Sequence, residues 1–149
     1  MEIRILKIEE VPMDLIYEAD PSRVAVADYL ERGTCYGACI DREVTGVCVL
    51  LRTRPFTMEI VNISIAPERQ GTGIGKALIA HVVEISREAG CSVLELGTAN
   101  AGTGQLAFYQ KCGFTITWVD FDFITKHYPE KMVENGIECR HMIRMSMDV

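Results

Sequence analysis

The 149-residue chain carries 15 basic and 21 acidic side chains, a net charge of −6, with 48% hydrophobic and 24% charged residues. That size and balance suit one soluble globular domain, residues 1–149, and exclude a protein that holds nucleic acid through a basic face, since no run of cations exists to neutralise phosphates. No apolar run approaches the roughly 20 residues that span a bilayer, and the opening Met1-Glu2-Ile3-Arg4-Ile5 lacks the apolar core of a signal peptide. The chain therefore reads as unexported and cytoplasmic.

Alternation over about residues 2–8 predicts a first strand. Residues 12–19 read as a short helix, and Asp20-Pro21-Ser22 offers a cap and an N-terminal proline for a second one ending at Gly33. Residues 34–40 and 44–52, rich in small and β-branched side chains around Asp41-Arg42-Glu43, predict a hairpin. A strongly β-branched strand at 58–65 stops at Pro67. After a glycine-rich turn, Ile74, Leu78, Val82, Ile85 and Ala89 recur at helical spacing until Gly90. A strand at 91–96, a short helix at 104–112 closed by Gly113, and strands at 114–124 and about 137–147 complete the order. A charged loop with His127-Tyr128-Pro129 joins the last two. The six cysteines form no CxxC pair and have no partners at zinc spacing, so no metal site is expected. They read as small buried thiols of a reducing compartment.

The most informative stretch runs from Ile63 to Lys76: strand, then Gln70-Gly71-Thr72-Gly73-Ile74-Gly75, then helix. Helix N-termini offer unpaired N–H groups and partial positive charge, and glycines let backbone approach a pyrophosphate without a Cβ in the way. A P-loop, counted back from Lys76, would need glycine at Gln70 and Ser or Thr at Ala77. A GxGxxG fingerprint starting at Gly71 ends on Lys76, and it belongs near the start of a βαβ unit. Neither fits.

The pattern Gln70-x-x-Gly73-x-Gly75 resembles the acetyl-CoA signature [RQ]xxGx[GA] of the GNAT N-acetyltransferase superfamily. A second block, Leu106-Ala107-Phe108-Tyr109-Gln110-Lys111-Cys112-Gly113-Phe114, is similar to the family's segment on the helix after the fifth strand. Element order and length agree over most of the chain. The resemblance implies an α/β (α+β) fold with a central mixed, mostly antiparallel sheet of about seven strands flanked by about four helices. It implies an acyltransferase that moves acetyl from acetyl-CoA to an amine, without a metal, by direct attack in a ternary complex. The pyrophosphate would rest on the amides of Gly71, Thr72, Gly73, Ile74, Gly75 and Lys76. Pantetheine would pair with the backbone near Ile63 and Ile65 and with Asn100. Arg69 and Lys76 would supply charge, although Arg69 also reads as a solvated surface residue.

Tyr109 matches the family's usual general acid, since a phenol can protonate a departing thiolate; a packing tyrosine is the other reading. An amine must first lose a proton; Glu59, which precedes Gln70 by the same offset and on the same strand as the catalytic glutamate of the family's histone-acetylating branch, is by that resemblance the candidate base, directly or through water, or else a charged residue at a strand start. Cys112 as an acyl carrier lacks a histidine neighbour in sequence to activate it. In the family that this chain resembles, the first two helices and last two strands build the acceptor pocket, and here they offer Tyr17, Asp20, Asp120, Asp122, His127 and Tyr128. A carboxylate pocket for a polyamine-like cation is one option they leave open. The partner would be a small-molecule amine, with a homodimer possible and neither nucleic acid nor membrane involved. A non-catalytic acyl-CoA sensor, or a fold kept for dimerisation, are the competing readings.

Overall fold

The computed structural model describes residues 1–149. The chain opens with β1 (Glu2–Ile5), then α1 (Met13–Ala19) and α2 (Arg23–Arg32). The Ser22 hydroxyl caps α2 by accepting from the Ala25 amide at 3.2 Å. Then come β2 (Thr34–Ile40), β3 (Glu43–Arg54) and β4 (Thr57–Ile65), each antiparallel to the one before, with β1 on the outer edge of β2. The long helix α3 (Ile74–Glu88) leads to β5 (Val93–Ala99), which lies parallel to β4. The remainder is α4 (Thr103–Lys111), β6 (Thr115–Asp120), α5 (Phe123–His127), the small hairpin β7 (Val133–Glu134) and β8 (Ile137–Glu138), and β9 (Met142–Asp148). The seven-stranded sheet has the order β1-β2-β3-β4-β5-β9-β6.

Both faces of the sheet are covered where the apolar pattern asks for it. Leu78, Ile79, Val82 and Val83 of α3 and Tyr109 of α4 pack on Cys48, Leu50, Ile60, Leu94, Leu96 and Met145. On the other face Leu15, Ile16, Val26 and Tyr29 of α1 and α2 cover Val47, Val49 and Leu51. Burying each such large apolar side chain is worth about 1.5–3 kcal/mol, so these two layers fix how the sheet is held.

The structure departs from the sequence reading in four places. The first strand ends at Ile5, because Glu10 accepts the Lys7 amide at 2.8 Å and draws the chain into a turn of 3-10 helix. The strand expected to reach residue 124 stops at Asp120. There Asp122 adopts φ +61° with its amide on His141 Nδ1 at 2.9 Å, and Ile124 is buried on a short helix beside Ala101 and Cys139. That makes five α-helices rather than four. The final expected strand is split into β8 and β9, because Asn100 Oδ1 takes the amides of Arg140 and His141 at 2.8 and 3.0 Å.

Candidate active site

The ladder between β4 and β5 runs only from Thr57↔Val93 to Ile60↔Leu96. Just beyond, β4 carries a bulge against β3, where Val49 faces Asn62 and Leu50 faces Ile60, leaving Val61 extra. Bulges bend a strand and raise its twist. The two strands part here, and β4 from Val61 to Ile65 presents backbone donors and acceptors to a gap instead of a neighbour. Ile63 and Ile65 still pack on the α3–α4 core.

The turn after β4 is arranged by its own side chains. Gln70 Nε2 donates back to the Ile65 carbonyl at 3.2 Å, and the Thr72 hydroxyl donates to the Arg69 carbonyl. Gly71 and Gly73 sit at φ +74° and +90°, where side chains are strained, and a Cβ added at either would meet nothing within 4 Å. At Gly75 a Cβ would come 3.2 Å from Phe108 of α4, so that glycine lets the two helices close up. No backbone N–H from Gly71 to Lys76 donates within the protein. These six consecutive donors at the start of a 15-residue helix make an anion cradle. Arg69 and Lys76 line the same cleft of about 630 Å³.

This cleft continues into an inner cavity of about 220 Å³, and Tyr109 lines both. Its ring is 8% exposed and stands edge-on to Phe114 at 6.1 Å. Burial pushes its phenol well above the ordinary range, so it stays protonated at neutral pH. The phenol is a proton donor at the meeting point of cradle and cavity.

Glu59 lies immediately before the last paired residue of β4. It lines a separate recess of about 240 Å³ with Glu95, Asp120 and Arg144, which shares Leu96 with the Tyr109 cavity. Burial raises its carboxyl pKa; Arg144 pulls it down, Glu95 raises it again and Arg54 lowers it. Both arginines are engaged elsewhere: Arg54 grips Glu95 with two bonds of 2.9 Å and Arg144 holds Asp120 at 3.2 Å.

Other expected residues fall differently. Asn100 lines neither cavity; its amide nitrogen also donates to the Glu138 carbonyl at 3.2 Å, so the side chain is occupied in tying down residues 138–141. Cys112 has its thiol raised by burial, with Lys76 opposing. Of the acceptor candidates, Asp20 and Tyr128 reach the inner cavity. Asp120 lies in the Glu59 recess, Asp122 pairs with Arg140 at 3.1 Å, His127 lines an outer groove and Tyr17 lies under Arg23. Asn62 and Tyr29 were not expected. Asn62 Nδ2 donates to the Tyr29 hydroxyl at 2.8 Å and to the Ile16 carbonyl at 3.0 Å. The signal is an asparagine set between the β-branched Ile60-Val61 and Ile63.

Comparison with known proteins gives the family. The Acetyltransferase (GNAT) family matches residues 4–114. The uncharacterized N-acetyltransferase YvbK of Bacillus subtilis is 48% identical over 136 residues, covering 91% of this chain and 88% of its own. A solved IAA acetyltransferase from Bacillus cereus superposes with a TM-score of 0.95 at 50% identity, covering 99% of both chains. A GNAT family acetyltransferase from Elizabethkingia anophelis, with acetyl-CoA bound, gives 0.96 at 38% identity over 99% of this chain and 97% of its own. The chain belongs to the GNAT family and is an acetyltransferase.

Proposed function

We propose that this enzyme transfers the acetyl group of acetyl-CoA to an amine of a small molecule or peptide, by direct attack in a ternary complex in the cytoplasm. The observation that carries the reading is the run of six unpaired amides, Gly71 to Lys76, opening beside a gap in the sheet that ends at Tyr109. The amides, with Arg69 and Lys76, hold the pyrophosphate, and Gln70 braces the turn. The free edge of β4 at Ile63 and Ile65 hydrogen-bonds the pantetheine as a neighbouring strand would. The thioester is thereby brought to the parting of β4 and β5.

Glu59, at the foot of that gap, accepts the proton of the incoming ammonium through water; its raised pKa suits a base. The amine then attacks the thioester carbonyl, the C–S bond breaks, Tyr109 gives its proton to the departing thiolate, and the excess proton on the newly acylated nitrogen restores the Tyr109 phenol, directly or through water. Direct transfer is favoured over an acetyl-cysteine, because the Cys112 thiol is held up by burial and so yields little thiolate. Six free thiols suit a reducing compartment.

The test is thermal unfolding with acetyl-CoA, ATP and NADH, together with thiol release across a panel of amines. Acetyl-CoA at 100 times its dissociation constant adds about 2.7 kcal/mol, and the other nucleotides much less. Thiol release that depends on an amine supports transfer. Binding with no release for any amine would leave a sensor module instead.

A further inference from the structure

The inner cavity contains a carboxylate that the steps above do not use. Asp20 caps the end of α1 and faces the cavity from the corner between α1 and α2. Its Oδ1 accepts from the Tyr128 hydroxyl at 2.7 Å and from the Ser22 amide at 3.1 Å, and its Oδ2 accepts from the Tyr29 hydroxyl at 3.3 Å. Tyr29 in turn takes the Asn62 amide at 2.8 Å, which links the carboxylate to β4 where the sheet parts. Asn62 is 4% exposed, and its Oδ1 has no partner.

Three features of this network set its purpose. All the protein donors on Asp20 are neutral, and no Lys, Arg or His pairs with it. A carboxylate has about four acceptor positions and three are used, so one remains. The cavity lining includes Glu18, Asp20 and Glu134 and no basic side chain. Such a lining attracts organic cations and repels acids. Asp20 also stands two hydrogen bonds back from the β4 backbone, so it is set off from the gap where the reacting nitrogen must lie.

We propose that Asp20 binds a second ammonium of the acceptor, and that the acceptor is an organic cation with at least two amines. This rests on the acetyl-transfer reading and names its substrate class. One amine attacks while the other is held by Asp20, Tyr128 fixing the carboxylate's orientation. Tyr128 and Pro21 also line an outer groove beside α2 and α5, giving a longer molecule room to extend. One charge-assisted hydrogen bond at this site corresponds to a ten- to hundred-fold preference for the diamine.

The experiment compares α,ω-diaminoalkanes of three to six carbons with the ω-amino alcohols of the same lengths, by thiol release at fixed acetyl-CoA. The expected result is a kcat/KM at least tenfold higher for a diamine than for its matched amino alcohol, most of it in KM. Asp20→Asn keeps the size and one acceptor oxygen, enough for the Tyr128 hydroxyl and the Ser22 amide, puts an NH2 donor opposite the Tyr29 hydroxyl, and removes the charge. It should bring the two kcat/KM values together, with the acetyl-CoA thermal shift retained as the sign of an intact fold. Equal use of diamines and amino alcohols by the wild type overturns the proposal while leaving the acetyl-transfer reading standing. So does an Asp20→Asn variant that keeps the preference and the thermal shift. Absence of thiol release with every amine tells against the acetyl-transfer reading itself, and the proposal fails with it. If Asp20→Asn loses the thermal shift, Tyr128→Phe, which removes one of the two hydrogen bonds on Oδ1, decides: a changed diamine preference supports the proposal and an unchanged one overturns it.

Discussion

The two ends of the active-site cavity are built from different materials. The cradle end comes from one contiguous stretch, residues 60–76, and consists mainly of backbone: unpaired amides, a strand edge and two glycines at positive φ. The inner end is assembled from side chains far apart in sequence; Tyr128 meets Asp20 across 108 positions. A ligand held by backbone is recognised by groups every residue possesses, so that end can stay constant while the other is altered by substitution. The contrast suggests how one chain can keep a fixed donor and adopt a particular acceptor.

The sharpest way to break this contrast is at Tyr109, where the ends meet. Tyr109→Phe keeps the ring against Phe114 and removes only the proton donor; turnover should fall by about 10²-fold or more, with acetyl-CoA affinity changed little. Equal loss of both, measured by steady-state kinetics and calorimetry, would place the residue in the cradle instead. Glu59→Gln should also cost about 10²-fold in turnover. A base must be deprotonated to act, and this carboxyl is raised above its ordinary 4.5. In the wild type kcat/KM should therefore fall on the acid side of a pKa above that value, and the glutamine variant should lose that limb. A limb that survives in the variant removes Glu59 from the mechanism.

At the cradle, Gly73→Val puts a β-branched side chain at φ +90°, in space that is otherwise open. It should abolish the roughly 2.7 kcal/mol that acetyl-CoA adds at 100 times its dissociation constant. Retention of the shift would show that the turn is not where the phosphates lie. The smallest effect is expected at Asn100. Asn100→Ala loses the side-chain bonds to residues 138–141, at about 1–3 kcal/mol of stability by denaturant melting. Acetyl-CoA affinity should be unchanged, because the side chain lies outside both cavities.

The same division explains what could be read from the sequence. The strands through β5 and the helix α3 announce themselves by their apolar and β-branched patterns, because each buries a face against a layer of the core, while α2 and α4 are marked by the cap at Ser22 and the closing glycines Gly33 and Gly113. The glycine turn is legible because backbone chemistry leaves a local mark. After residue 120 the signals fail. The alternation of Val119-Asp120-Phe121-Asp122-Phe123 continues like a strand, yet Asp122 in the left-handed region turns it into α5. That turn is held by His141, 19 positions on. The bonds of Asn100 are illegible for a related reason, since the chain that takes up its side chain arrives only 38 to 41 residues later. Asn62 and Tyr29 depend on three separate elements meeting.

The parting of β4 and β5 also has a mechanical side. Every other junction between the long strands is a longer antiparallel ladder, whereas this one, the only parallel contact in the sheet, holds four residue pairs. It lies in the middle of the sheet, so the strand layer resembles two plates joined by a short seam, with α3 spanning one side. A load drawn across the sheet concentrates there, and thermal fluctuation should find the same weak line. Amide exchange at 61–65 and 97–99 should accordingly be faster than elsewhere in the central strands, and acetyl-CoA, laid along the open edge, should slow it. In the proposed binding mode the donor molecule acts as a splint, and the enzyme should be stiffest when loaded for reaction.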